Sequence, residues 1–192
     1  MTAETGRSAD EWNEADVLSR ARAGDDVAFD LLVRRYETEL RGVALFLTGQ
    51  ASDADDVVQE TFIAAFEGLA TFEARASLKT WLTRILYRRA ARHIRSQRVC
   101  RAAAPVRLSQ ASREILNGAA HGSPVSHEIR QDVLDALQLL DPDHREVLVL
   151  RELQGLSYRE IASVLEIPDG TVESRLFRAR QELKERLKDY LE

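Results

Sequence analysis

The chain has 192 residues, 44% of them apolar and 31% charged, and a formal net charge of −5. That length suits one domain or two small ones, at an ordinary globular apolar fraction. A lone cysteine, Cys100, excludes an internal disulfide and argues against a cysteine-based zinc site.

The N-terminal MTAETGRSADEWNEADV has no apolar core of the kind a secretory signal needs, and no apolar run approaches the length of a membrane span. A cytoplasmic protein with no membrane insertion of its own is expected. The acidic DADD segment lacks the spacing, glycine and terminal glutamate of a calcium loop. No metal site, no cofactor and no catalytic constellation is expected. His93, His121, His127 and His144 are scattered, and surface or linker roles are assigned to them by default.

Residues 1–12 read as disordered. Asn13 to Arg22 form a short helix that stops at Gly24. Asp25 or Asp26 caps the next, which runs to about Thr48 and turns Phe29, Leu32, Val33, Tyr36, Leu40, Val43, Ala44 and Leu47 to one side. Gly49 ends it. Ser52 or Asp53 opens a third helix to about Leu69, with acidic residues in the first turn, where the helix dipole favours them. Its apolar residues are Val57, Val58, Phe62, Ile63, Ala65 and Phe66.

A loop, ATFEARA, leads into a helix capped by Ser77. Leu78, Trp81, Leu82, Ile85, Leu86 and Ala90 share its apolar face, so core packing is the expected role of Trp81. Another face carries Arg84, Arg88, Arg92 and Arg95. Residues 75–107 hold ten Lys and Arg and no Asp or Glu. Residues 1–74 hold sixteen acidic against six basic side chains. Like charges three or four apart weaken an isolated helix. A nucleic-acid polyanion is the natural counterpart of such a face; acidic neighbours from elsewhere in the fold are the competing explanation.

From Cys100 to about residue 125 the periodicity dissolves into Ala, Ser, Gly and Pro, as in a flexible linker, with a short helix possible at Ser112–Leu116. Ser126 caps HEIRQDVLDALQLL. Asp141-Pro142 starts DHREVLVLRELQ, which ends at Gly155. Ser157 and Glu160 form a capping box opening a short helix to Leu165. Glu166-Ile167-Pro168 is a turn, and a last helix runs from Asp169 or Gly170 to about Tyr190. No segment alternates with period two, so the fold class is all-α: two small helical domains on a flexible linker.

The stretch YREIASVLEIPDGTVESRLFRARQEL is a helix-turn-helix. Ala162 supplies the small side chain at the crossing, and Ile161, Leu165, Ile167, Val172 and Leu176 the shared core. The early face of the second helix offers Thr171, Glu173, Ser174, Arg175 and Arg178 to a major groove.

The segments DADDVVQETFIAAF, TWL at Thr80–Leu82 and LSYREIASVLEIPDGTVESRLFRAR together resemble the extracytoplasmic-function group of bacterial RNA polymerase sigma factors. The resemblance covers about residues 14–99 and 127–188. It implies a domain over 13–99 that binds core RNA polymerase and the promoter minus-ten element. It implies a second, over 126–192, that binds the minus-thirty-five element. Asp56, Gln59, Glu60 and Phe62 are then the core-polymerase contacts. Phe72, Arg75, Ser77, Lys79, Arg84, Arg88, Arg92 and Arg95 are the minus-ten contacts, and the loop before the basic helix makes a pocket for an unstacked base.

The family commonly has Asn and Asp where Arg88 and Arg92 stand, and a small residue where Glu166 stands. Some members carry a basic residue at Glu173. Core polymerase, promoter DNA and an anti-sigma factor are the implied partners. The alternative is a helix-turn-helix regulator with a helical sensor or dimerisation module, but such a module has no need of a second DNA-binding face. The charge pattern further predicts a closed free protein, with the helix-turn-helix domain packed on the first and part of the DNA surface covered.

Overall fold

Asp25 fixes the start of the first long helix, its carboxylate accepting from the backbone N–H of Val27 and Ala28 at 3.0 and 3.1 Å. The computed structural model describes residues 13–100, 132, 133, 135–137 and 139–188. The expectations for 1–12, for the linker from 101 to 125, for the Ser112–Leu116 helix, the Ser126 cap and the end at Tyr190 lie outside these residues. The first domain has α1 (Glu14–Arg22), α2 (Asp26–Thr48), α3 (Ala51–Gly68), a 3-10 turn (Leu69–Thr71) and α4 (Leu78–Cys100). Then come helical residues at 132, 133 and 135–137, and α5 (Pro142–Glu152), α6 (Tyr158–Leu165) and α7 (Asp169–Arg186). No strand occurs among the described residues.

The caps at Asp141 and Ser157 stand as the sequence indicates, Asp25 rather than Asp26 caps α2, Asn13 caps α1 from just outside it, and Gly49 ends α2 at φ 76°, a conformation only glycine adopts without strain. The start of α3 differs. It begins at Ala51 with Gln50 as an N-cap that makes no side-chain bond, so the helix precedes Ser52 and Asp53. Asp53 sits inside the first turn, where its charge still favours the helix dipole.

Helix α2 is the axis of the first domain, in contact with α1, α3 and α4. Val43, Ala44, Leu45 and Phe46 are four consecutive buried residues, because neighbours cover this end of α2 on every side. Leu40, Leu45, Val57 and Leu86 are essentially inaccessible. A second core surrounds the helix-turn-helix, with Val147, Leu150, Ile161, Val172, Leu176 and Ala179.

The two cores meet. Val149 of α5 belongs to the first, and Tyr87 of α4 packs against both. Gln154, 4% exposed, donates Nε2 to the Glu39 carbonyl at 3.1 Å. Burial pushes the Tyr87 phenol well above its ordinary range, with the Glu146 carboxylate adding to the rise. Burial likewise raises the Glu146 carboxyl, and the Asp143 charge adds to the rise.

Candidate nucleic-acid interface

On α4 the apolar stripe Leu78, Leu82, Leu86 and Ala90 is buried, which fixes the opposite side as the cationic one. The structure divides those cations. Lys79 pairs with Glu39 at 2.7 Å and Arg89 lies 3.9 Å from Glu60, so α2 and α3 supply part of the counter-charge. Arg88 and Arg84 reach the same Glu166 oxygen, at 2.6 and 3.5 Å. Arg92 and Arg95 are exposed, and neither has an ion pair among the described residues. Acidic neighbours thus neutralise the first half of the face, and the second half is open to solvent.

The loop before α4 turns at Ala74, φ 54°. A pocket of about 230 Å³ opens there, lined by Phe72, Arg75, Thr80, Trp81 and Arg84 of the first domain and by Ser163 of α6. It is smaller than a drug-sized site and suits one planar group. Two expected contacts have other duties. Phe72 is buried, its ring centroid 5.0 Å from that of Trp81, and forms a wall of the pocket. The Ser77 hydroxyl accepts from the Thr80 N–H at 3.1 Å and lies 2.8 Å from the Thr80 hydroxyl, so it caps α4. Arg75 is exposed beside Glu73.

On α7, Val172, Leu176 and Ala179 face inward. Glu173, Ser174, Phe177 and Arg178 line one groove with Tyr158 and Gly170. Thr171 is half-buried and its carbonyl accepts from the Ser174 hydroxyl at 3.0 Å. Arg175 is not among the residues lining that groove. Its guanidinium forms an ion pair with Asp143 at the start of α5. Phe177 was missed as a surface residue and is 65% exposed. Its position four residues after Glu173 carried that signal.

The acidic helix α3 and α2 enclose a groove of about 890 Å³. Gln59 and Phe62 line it, while Asp56 and Glu60 are exposed outside its lining. Phe62 is 9% exposed and therefore a wall, not a protruding contact. The protruding apolar residues are Ile63 and Phe66, each 53% exposed. Phe66, one of the apolar residues of α3, stands edge-on to Phe29 with centroids 5.0 Å apart. Arg41 binds Asp55 at the rim through Nε and Nη2, at 2.6 and 3.2 Å.

Two of the four histidines, His93 and His144, have carboxylate neighbours. His93 Nε2 lies 3.6 Å from Asp53, and His144 Nδ1 lies 2.7 Å from Glu182. Among the described residues, no cluster of three His, Cys, Asp or Glu could hold a metal ion. No helix of the described residues is long and apolar enough to cross a membrane.

The family model for sigma-70 region 2 matches residues 32–99, and that for sigma-70 region 4 matches residues 130–183. The RNA polymerase sigma-H factor of Pseudomonas aeruginosa is 34% identical over 188 residues, covering 93% of this chain and 95% of that one. The ECF RNA polymerase sigma-E factor of Escherichia coli K12 is 36% identical over 171 residues, covering 86% and 89%. The structure of the sigma factor RpoE with the anti-sigma factor NepR from Bartonella quintana superposes with a TM-score of 0.65 at 28% identity, over 83% of this chain and 96% of that one. With two regions matched in order and relatives aligned over almost their whole length, this chain belongs to the extracytoplasmic-function group of the sigma-70 family of RNA polymerase sigma factors.

Proposed function

We propose that residues 13–99 bind core RNA polymerase and the minus-ten element, that residues 126–192 bind the minus-thirty-five element, and that residues 100–125 link the two. The chain is a transcription initiation factor that directs polymerase to promoters. It acts by recognition and strand capture in the cytoplasm, and covalent chemistry belongs to the polymerase. An anti-sigma factor is its further partner, as for the Bartonella protein.

The observation that carries this reading is the pairing, in one domain, of a cationic helix bordered by a base-sized pocket with an apolar-floored groove on an acidic helix. A regulator with a sensor module needs neither. Phosphate contacts from Arg92 and Arg95 set register, and the pocket holds a base taken out of the stack, at roughly a few kcal/mol for the unstacking. Glu173, Ser174 and Arg178 read base edges in the major groove. The groove of α2 and α3, with Ile63 and Phe66 as anchors and Gln59 beside them, takes the polymerase.

Run-off transcription with core polymerase on a genomic library tests this. Promoter-specific transcripts that require the protein are expected. Binding to duplex DNA without polymerase, and no specific transcripts with it, would return the regulator reading.

A further inference from the structure

The counter-charge of α4 comes in part from an unexpected source. Glu166 is the turn residue of the helix-turn-helix, 57° in φ, and its carboxylate lies between Arg84 and Arg88 of the other domain. A side chain in that left-handed conformation meets a steric cost that glycine does not. The same contact continues along α6. Thr80 donates its hydroxyl to Glu160 at 2.6 Å, and Ser163 closes one side of the pocket before α4. Val149 and Gln154 add apolar and hydrogen-bonded contacts beneath.

We propose that Glu166 is an internal stand-in for a DNA phosphate, and that α6 with its turn closes the free factor against minus-ten DNA. A carboxylate held by two guanidinium groups has the charge and acceptor geometry of a backbone phosphate oxygen. While it occupies Arg84 and Arg88, those side chains cannot grip DNA, and Ser163 narrows the entrance for a base. Polymerase, by holding the two domains apart on its own surface, frees both features together. The closed form does not rest on exposed charge alone, because Val149 lies in the first core. It should therefore survive moderate salt. This rests on the reading of α4 as the minus-ten surface.

The test uses the full-length protein and a short fluorescein-labelled single-stranded DNA of mixed sequence. Glu166→Gln keeps the size and backbone of the turn and removes the charge. It should tighten binding by the free protein about three- to tenfold, the range set by losing one modest ion-pair network. With core polymerase present it should change promoter binding little, since the latch is already open. Glu166→Gly, a second variant suited to φ 57°, should behave alike. The swap Arg88→Glu with Glu166→Arg should restore the wild-type small-angle scattering profile where Arg88→Glu alone expands it. Tight promoter binding by the wild-type holoenzyme, with no tightening in either Glu166 variant, overturns the latch and leaves the promoter reading standing. Loss of DNA binding in every form, with and without polymerase, overturns both.

Discussion

Glu160 divides one carboxylate between two domains. Its Oε2 accepts from the Ser157 N–H and hydroxyl at 2.8 and 2.7 Å, completing the capping box of α6, while Oε1 accepts from the Thr80 hydroxyl of α4 at 2.6 Å. Thr80 is 2% exposed, so its hydroxyl has no water to turn to. Thr80→Val should cost about 1 kcal/mol, the net value of a typical hydrogen bond, and leave helicity unchanged. Glu160→Ala should cost more, because the cap goes too, worth about 0.5–2 kcal/mol. Thermal denaturation of both variants measures the difference; equal losses would place the whole effect in the cap.

The same contact predicts a response to acid. The Thr80 hydroxyl, more than any other neighbour, holds the Glu160 carboxyl below its ordinary value of 4.5. The Arg88 guanidinium does the same for Glu166. A group whose folded value is depressed gives stability that is complete above its unfolded value and is lost as pH falls through the folded one. Contact between α6 and α4 should therefore hold at neutral pH and weaken below about pH 4.5. Small-angle scattering through that range should show expansion of the wild type. Thr80→Val should expand at higher pH than the wild type, and coincident curves would remove Thr80 from the account.

Polymerase binding should depend on Ile63 and Phe66 as well as on Asp56, Gln59 and Glu60. Apolar anchors in a half-open groove are the kind of residue that dominates an interface, each worth about 2 kcal/mol or more when truncated. Ile63→Ala with Phe66→Ala should weaken holoenzyme formation by at least about thirtyfold. Replacing Asp56, Gln59 and Glu60 with Ala should weaken it less and mainly at low salt. Native gels with core polymerase rank the two sets, and undiminished binding in both would locate the interface elsewhere.

Arg175 and Arg178 separate into different roles. Arg178 lines the recognition groove, and Arg178→Ala should cost about 1–3 kcal/mol on the preferred duplex and relax the preference at one base pair. Arg175 is held by Asp143, so Arg175→Ala should leave the preference intact and lower stability by at most about 1 kcal/mol. Competition binding across single-base variants of the minus-thirty-five duplex reads both. A changed preference in Arg175→Ala would show that its ion pair opens on DNA.

The inner core has its own signature. Leu86 is fully buried at the centre of α4, and Leu86→Ala should destabilise the first domain by about 2–5 kcal/mol. Denaturant unfolding measures it. A loss under about 1 kcal/mol would mean the helices relax into the space.

The sequence by itself determined what depends on neighbours along the chain. The caps at Asp25 and Ser157, the stop at Gly49 and the helix-turn-helix core of Ile161, Val172 and Leu176 are set within a few residues, by hydrogen bonds and helical periodicity. The concentration of cations on α4 was legible in the same way. What the cations face was not. Arg88 and Glu166 are 78 residues apart in the chain, and no local rule joins them. Only the meeting of the two cores through Tyr87 and Val149 brings that turn onto α4. The same holds for Phe66, an apolar residue of α3 that packs edge-on against Phe29 yet stays half exposed, and for Arg175, whose charge suits DNA while its ion pair is with Asp143. Periodicity decides which residues share a face. Which faces are covered, and by which charges, is decided by packing between elements far apart in the chain.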